Sequence, residues 1–298
     1  MRRDASRRAA LAGGIAAWAV HARAQGAGAP PDLVATAAKE GTAVWQTSID
    51  LPVAQKMVGL FNVRHRQARF QLERSGAERV LQRITQEYAS GIKVADVVES
   101  SDAAMFADFK QRGWLARHVP PDVARHWPAT ERDPDGTYAG VRATLSVIAY
   151  NTKQVKPEDA PKGFSDLLNP RWRSRMVKGE RSIMMDGSEY VVFYLKETGN
   201  PIEVVYPTEG SPLISGQMVV LDAAPHPAAA RLFIDFAFSA ECQQLMSNVG
   251  GTRSFHPAVS LPAGRPKHAD LKVLPTDPDA LVKAAGEIKR RYTEYFGV

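Results

Sequence analysis

Three short stretches of this chain put side-chain hydroxyls just ahead of helix-forming sequence: Thr47-Ser48, Ser75-Gly76-Ala77-Glu78 and Ser100-Ser101-Asp102. Each follows a strand-like run. Hydroxyls and the free leading N–H groups of a helix bind anions well, because those N–H groups lack intrahelical acceptors and the dipole end is positive. Thr47, Ser48, Ser75, Gly76, Ser101 and Asp102 are therefore candidate ligand contacts. Ser75-x-x-Glu78 also has the spacing of a capping box, in which both side chains serve the helix itself. Both uses of Ser75 stay open at this point.

Other chemistries find less support. Tyr190 and Tyr194 lie four apart and share a helix face; phenolates ligate ferric iron, but the spacing predicts core packing first. The seven histidines show no His-x-x-x-His spacing, and His118 and His126 stand eight apart in a proline-broken segment, which argues against a zinc hydrolase. No Gly-x-Ser-x-Gly elbow, phosphate-binding P-loop or Gly-x-Gly-x-x-Gly after the first strand is present. No catalytic residue, resident metal or cofactor is expected, and the chain does not read as an enzyme. Its single cysteine, Cys242, excludes an internal disulfide and is expected to be an inert buried thiol.

The elements that must position these groups alternate. Strands are predicted at 44–47, 70–73 and 95–99, with helices marked by Val53, Met57, Leu60 and Phe61, by Val80, Leu81, Ile84 and Tyr88, and by Phe106 and Phe109 behind an Asp102 cap. That alternation predicts an α/β fold, a parallel sheet with helices on both faces. In such a sheet the ligand sits beyond the carboxyl ends of the strands, where the three hydroxyl loops fall. Residues 141–150 read as the longest strand, 202–206 and 218–221 as further strands, and 227–238, 240–248 and 278–296 as closing helices. A helix from a Ser188 cap to Lys196 is also predicted, whereas 26–31 reads as a flexible lead.

Length and charge narrow the class. At 298 residues the chain suits two modest lobes, and no apolar run is long enough for a membrane-spanning helix. The formal charge of +6 is concentrated at the start, where five arginines (2, 3, 7, 8 and 23) stand against Asp4. The rest is close to neutral, so nucleic acid is not an expected partner. Residues 1–24 read as an export signal: an arginine-rich start, an apolar stretch from Ala9 to Val20, and small residues at Ala22-Arg23-Ala24. Ser6-Arg7-Arg8 resembles a twin-arginine signal, and an ordinary secretory signal fits equally well. No cysteine lies near the cleavage site for lipid attachment, so a soluble periplasmic protein is expected.

Several segments together resemble a known family. They are 51–101, with its Glu-Arg-Ser-Gly-Ala-Glu-Arg-Val-Leu core; Ile148-Ala-Tyr-Asn-Thr152; Leu167-Leu-Asn-Pro-Arg-Trp172; Ile202-Glu-Val-Val-Tyr-Pro207; and the run from His226 to Ile234. The pattern resembles the ferric-iron-type extracellular solute-binding proteins of ABC importers, a type II periplasmic binding-protein family. The resemblance implies two lobes joined by crossing strands, with lobe I over 25–125 and 223–298 and lobe II over 126–222. A small solute would be trapped between them and passed to an ABC permease by a monomer. Tyr190 and Ser146 would answer the first-lobe hydroxyls from the second lobe.

Two departures qualify the likeness. Iron-binding members resemble one another in a Tyr-Tyr pair; Tyr190 matches its first member, and Val191 replaces the second. That substitution favours a small anionic or polyhydroxylated solute, with Tyr190 the metal ligand if ferric iron is bound after all. In addition, Met176-Val177 runs straight into Lys178-Gly179-Glu180-Arg181, where the family has a further βαβ-sized unit. The second lobe is thus expected to be truncated, and a binding-deficient or sensor-type homologue remains an alternative.

Overall fold

The computed structural model describes residues 29–172, 175–176, 182–274 and 278–296. The expected export signal and the expected truncation after Val177 fall outside the described residues. Chain order begins α1 (Pro31–Glu40), β1 (Thr42–Thr47), α2 (Leu51–Arg64), β2 (Arg69–Arg74), α3 (Ala77–Ser90), β3 (Val97–Ser100), α4 (Ala103–Gln111) and α5 (Pro121–His126). It continues β4 (Ala139–Asn151), β5 (Ile183–Ser188), α6 (Glu189–Glu197), β6 (Ile202–Val205), β7 (Ser211–Val220), α7 (Pro227–Ala237), α8 (Ala240–Gly250), β8 (Val273–Leu274) and α9 (Pro278–Phe296).

The strand order β2-β1-β3-β7-β4-β5 carries one sheet through both lobes, with β6 beside β4 and β8 beside β7. The sheet is mixed: β1 pairs in parallel with β2 and β3, β7 then runs antiparallel to β3 and to β4, and the short β8 is parallel to β7. The parallel sheet expected from strand–helix alternation is therefore mixed. An antiparallel β7 needs no crossover helix, and so leaves no alternation to read.

Helices do cover both faces of the first lobe. Val97, Met218 and Val220 face a core built by α2, α7 and α8, where Phe61, Phe70, Phe233 and Trp45 meet at centroid distances of 4.2–5.4 Å. Val98 and Val219, pointing the other way, join Val80, Ile84, Phe106 and Phe109 from α3 and α4. That opposition of neighbouring residues is the period-2 pleat of a strand buried on both sides. Asp102 caps α4, its carboxylate accepting from the Ala104 and Met105 N–H groups.

The long strands β4 and β7 form the crossing. Their pairing starts at Ala139↔Met218 inside the first lobe and ends at Leu145↔Leu213 in the second, after which β4 pairs with β5 and β6. A third strand of chain crosses here, because Arg253 and Ala143 exchange backbone hydrogen bonds of 2.9 and 2.7 Å. From there the chain reaches the second lobe, where β8 pairs with Ser211–Pro212, before α9 packs on α4. Among the described residues no helix is long and apolar enough to cross a membrane. Cys242 is fully buried, and burial pushes its thiol well above the ordinary value, as an inert thiol requires.

One carboxylate fastens the entry to β4. Asp133 accepts from Lys110 Nζ at 2.5 Å and from Thr137 Oγ1 at 2.8 Å. Burial alone would raise its carboxyl, but the Lys110 and Thr137 bonds outweigh it and hold the group below the ordinary value. A depressed folded-state value stabilises the fold above the unfolded value near 3.9, and that contribution is lost as pH falls through the folded value. Asp133→Asn is expected to cost about 1.5–3 kcal/mol at pH 7, with the difference shrinking below about pH 4. Urea titrations at the two pH values check this.

Candidate functional site

The hydroxyl loops lie side by side at the carboxyl edge of the first-lobe sheet, as parallel pairing of β1 with β2 and β3 requires. Thr47 pairs with Arg74 across one neighbour and with Glu99 across the other. The amide of Ser75 donates to the Thr47 carbonyl at 3.1 Å. Gly76, not Ser75, is the N-cap residue of α3, so the capping-box reading fails. Among the described residues the Ser75 hydroxyl makes no hydrogen bond. Asp102 spends its carboxylate on α4, and Ser101 sits one residue past β3 on the same edge.

A buried charge organises this edge. Glu99 is fully buried, yet one of its oxygens accepts from Thr47 Oγ1 at 2.6 Å, the Ser48 amide at 3.0 Å and the Ile49 amide at 3.1 Å. Its other oxygen accepts from Arg142 Nε at 3.0 Å. Arg142 comes from β4 at the crossing, and its Nη2 reaches Ser48 Oγ at 3.3 Å. A buried carboxyl held by this many donors fixes both the loop and the guanidinium. Thr47, itself fully buried, thus turns its hydroxyl inward to Glu99.

Close approach makes this possible. A Cβ on Gly216 of β7 would lie 2.6 Å from Glu99 Oε1 and 3.0 Å from Arg142 Nε. Gly216→Val is therefore expected to expel the ion pair and to destabilise the fold by about 1–3 kcal/mol; a thermal melt checks it. A variant melting like the wild type would show that the pair is not packed over β7.

The second lobe answers with Tyr190, the second residue of α6. Its phenol faces Asp50, the residue ahead of α2, with Arg142 and Arg74 the next charges. Burial pushes the Tyr190 hydroxyl above its ordinary value, and the Asp50 charge adds to this. Ile49, Asp50, Val53, Arg142, Tyr190 and Thr252 line a recess of about 10 Å³, room for roughly one water. Arg74 is itself pinned, Nε donating to the Ile49 carbonyl at 3.2 Å. Ser146 stands farther along β4, opposite Ser188, with its hydroxyl on Asp186. Tyr194 is 64% exposed, so the core-packing expectation for the tyrosine pair is wrong: the two lie on one helix but in different surroundings.

The α6 terminus is held from behind. Glu189, 1% exposed, accepts two hydrogen bonds from Arg253, 2.7 Å to Nε and 2.6 Å to Nη2, and a third from the Tyr206 hydroxyl. Arg253 also exchanges backbone hydrogen bonds with Ala143 of β4, so this cluster connects the crossing strands to the residue beside Tyr190.

Arg74, Asp50, Glu99 and Arg142 were not among the candidates read from sequence. Arg142 had a visible signal, a lone cation inside the apolar 141–150 run, and so had Glu99 at the end of an apolar strand.

Comparisons agree with this architecture. Two family profiles, each described as bacterial extracellular solute-binding protein, match residues 93–182 and 169–273, each about a third of the chain. Iron uptake protein A1 of Synechocystis is 28% identical over 142 residues, which span 43% of this chain and 39% of that relative's length. The iron-bound HitA structure from Pseudomonas aeruginosa superimposes with a TM-score of 0.74 at 17% identity, over 84% of this chain and 97% of the other. AfuA from Actinobacillus pleuropneumoniae, with fructose-6-phosphate bound, gives 0.75 at 17% identity over 85% and 98%. At such identities the structural likeness speaks for the fold, a two-lobed type II periplasmic binding-protein architecture. Over residues 93–273 the chain is thus similar to bacterial extracellular solute-binding proteins, and its likeness to a curated relative is to an iron uptake protein.

Proposed function

We propose that this chain is the periplasmic receptor of an ABC importer and captures a small anionic or polyhydroxylated solute between its lobes. The observation that carries the reading is the pair Arg142 and Arg74, each pinned by an acceptor of its own and facing Tyr190 from across the cleft. Guanidinium groups fixed in advance recognise carboxylates and phosphates with little ordering cost on binding. Ser48, Ser75 and the helix start at Gly76 add hydroxyl and N–H donors, with Ser101 at the far end of the same edge. Thr47 and Asp102 hold the loops, and Ser146 extends the polar face of β4. A solute enters with the lobes apart and is enclosed by hinge closure. Capture is reversible, without bond making, and a permease of the inner membrane receives the cargo.

Ferric iron is the second reading, favoured by the oxygen donors Tyr190 and Asp50 at one point and by iron-type relatives. Thermal-shift screening against phosphonates, sugar phosphates, polyamines and ferric salts separates the two. The anion reading expects a saturable rise with an anionic solute, weakened about three- to tenfold in affinity by Tyr190→Phe, as the loss of one hydrogen bond implies. The iron reading expects a visible phenolate–iron band that Tyr190→Phe abolishes. A folded sample that responds to none of these solutes contradicts both, and matches the binding-deficient alternative raised by a truncated second lobe.

A further inference from the structure

The first lobe carries a second polar centre, well apart from the cleft. Asp122 and His126 lie four apart on α5, and His256 arrives from the segment after α8. One ligand atom from each of the three lies within 4.8 Å of the other two. The imidazole rings of His126 and His256 are 4.8 Å apart between centroids, and His256 Nε2 is 3.9 Å from Asp122 Oδ2. We propose that Asp122, His126 and His256 form a binding site for a divalent cation of borderline softness, of which zinc is the type.

The donor set argues for this class. Two imidazoles with one carboxylate suit zinc, cobalt, nickel or copper, whereas calcium and magnesium prefer all-oxygen shells. Zinc bonds near 2.0–2.1 Å in a tetrahedron set ligand atoms about 3.3 Å apart, so the cluster needs to contract by roughly 1.5 Å. His126 can supply that movement, being exposed at the last residue of a short helix. His256 is buried and anchored: its Nδ1 accepts the Ala258 N–H at 3.2 Å, which leaves Nε2 turned toward Asp122. Coordination through Nε2 moves the neutral ring's one proton to Nδ1 and gives up that long contact, with no net proton released. Arg125, 3.6 Å from the other Asp122 oxygen, is the competing partner and swings to solvent from a half-exposed position.

Access and open coordination positions are present. All three residues line one cavity of about 780 Å³ between α2, α5 and α7, which shares no residue with the recess at Tyr190. Solvent in that cavity can complete the metal shell, as a three-residue site requires. The neighbour Trp127 gives the site a reporter, its ring 6.1 Å from that of His256.

The test is calorimetric titration of the untagged full chain with zinc, alongside copper quenching of indole fluorescence. One zinc per chain is expected, with copper quenching that zinc reverses. His126→Ala, at an exposed position, is expected to weaken zinc more than about a hundredfold, and Asp122→Asn at least tenfold, since even outer-shell changes cost 10–100-fold. Tyr190→Phe is expected to leave zinc binding unchanged, which separates this site from the cleft and from iron capture there. Absence of zinc binding by the folded wild type would overturn the proposal. So would equal affinity in the wild type and either ligand variant.

Discussion

Arg253→Met is expected to lower the free energy of unfolding by about 3–5 kcal/mol, the loss typical of a buried ion pair stripped of one partner. Arg253 is 3% exposed and Glu189 1%, so solvent cannot replace either partner. Burial would weaken the Arg253 charge, but the Glu189 bonds outweigh it and raise its proton affinity further. With Arg253 gone, Glu189 keeps only the Tyr206 hydroxyl as a hydrogen-bond partner and stays buried with its polar atoms undersatisfied. Replacing both members, Arg253→Met with Glu189→Leu, is expected to recover much of the loss, because two apolar groups need no desolvation of charge. Urea unfolding of the single and double variants checks both statements. A single-variant loss under about 1 kcal/mol would mean that the cluster holds neither the hinge nor the start of α6.

Arg142→Ala separates binding from stability. Glu99 retains four donors on one oxygen, from the Thr47 and Ser48 hydroxyls and the Ser48 and Ile49 amides, so the loop survives better than Glu189 does without Arg253. Solute capture does not survive. Removing one partner of a desolvated charge pair typically costs about 2–5 kcal/mol of binding, roughly thirtyfold or more in affinity. Arg142→Lys is expected to restore the charge but not the fork that reaches Glu99 and Ser48 together, and so to recover only part of it. Calorimetry with whichever anionic solute the screen returns measures the two variants. Unchanged affinity in Arg142→Ala would remove the crossing strand from the binding surface.

The first-lobe hydroxyl loops were legible because the grammar is local. A strand, a loop with Ser or Asp, and an amphipathic helix recur within about twenty residues, and Asp102 caps α4 as its position predicts. What each hydroxyl does was not legible. Thr47 faces inward because Glu99, 52 residues away, comes into register beside it, and only the β1–β3 pairing fixes that distance. Arg142 and Glu99 were not singled out, although each is a charge inside an apolar strand; recognising them as partners requires knowing that β7 passes beneath them with a glycine at 216.

Some elements were hidden by punctuation read the wrong way. Pro30-Pro31 suggested a flexible lead, yet Pro31 opens α1, where a missing N–H costs nothing. The first half of β7 was obscured by Pro212 and Gly216: the proline sits near the strand's start, and the glycine makes room for the ion pair. Spacing alone assigned Tyr190 to the core with Tyr194, and its ligand role came from resemblance, while its neighbour Glu189 passed unremarked because its partner arrives from Arg253, 64 residues on.

The central claim is that two hinged lobes close on a solute at Arg142 and Tyr190. Small-angle X-ray scattering of the chain with and without saturating solute tests it most directly. The account predicts a smaller radius of gyration on binding for the wild type, and none of that contraction for Arg142→Ala at the same solute concentration. A solute that binds the wild type tightly while leaving the scattering profile unchanged would contradict it.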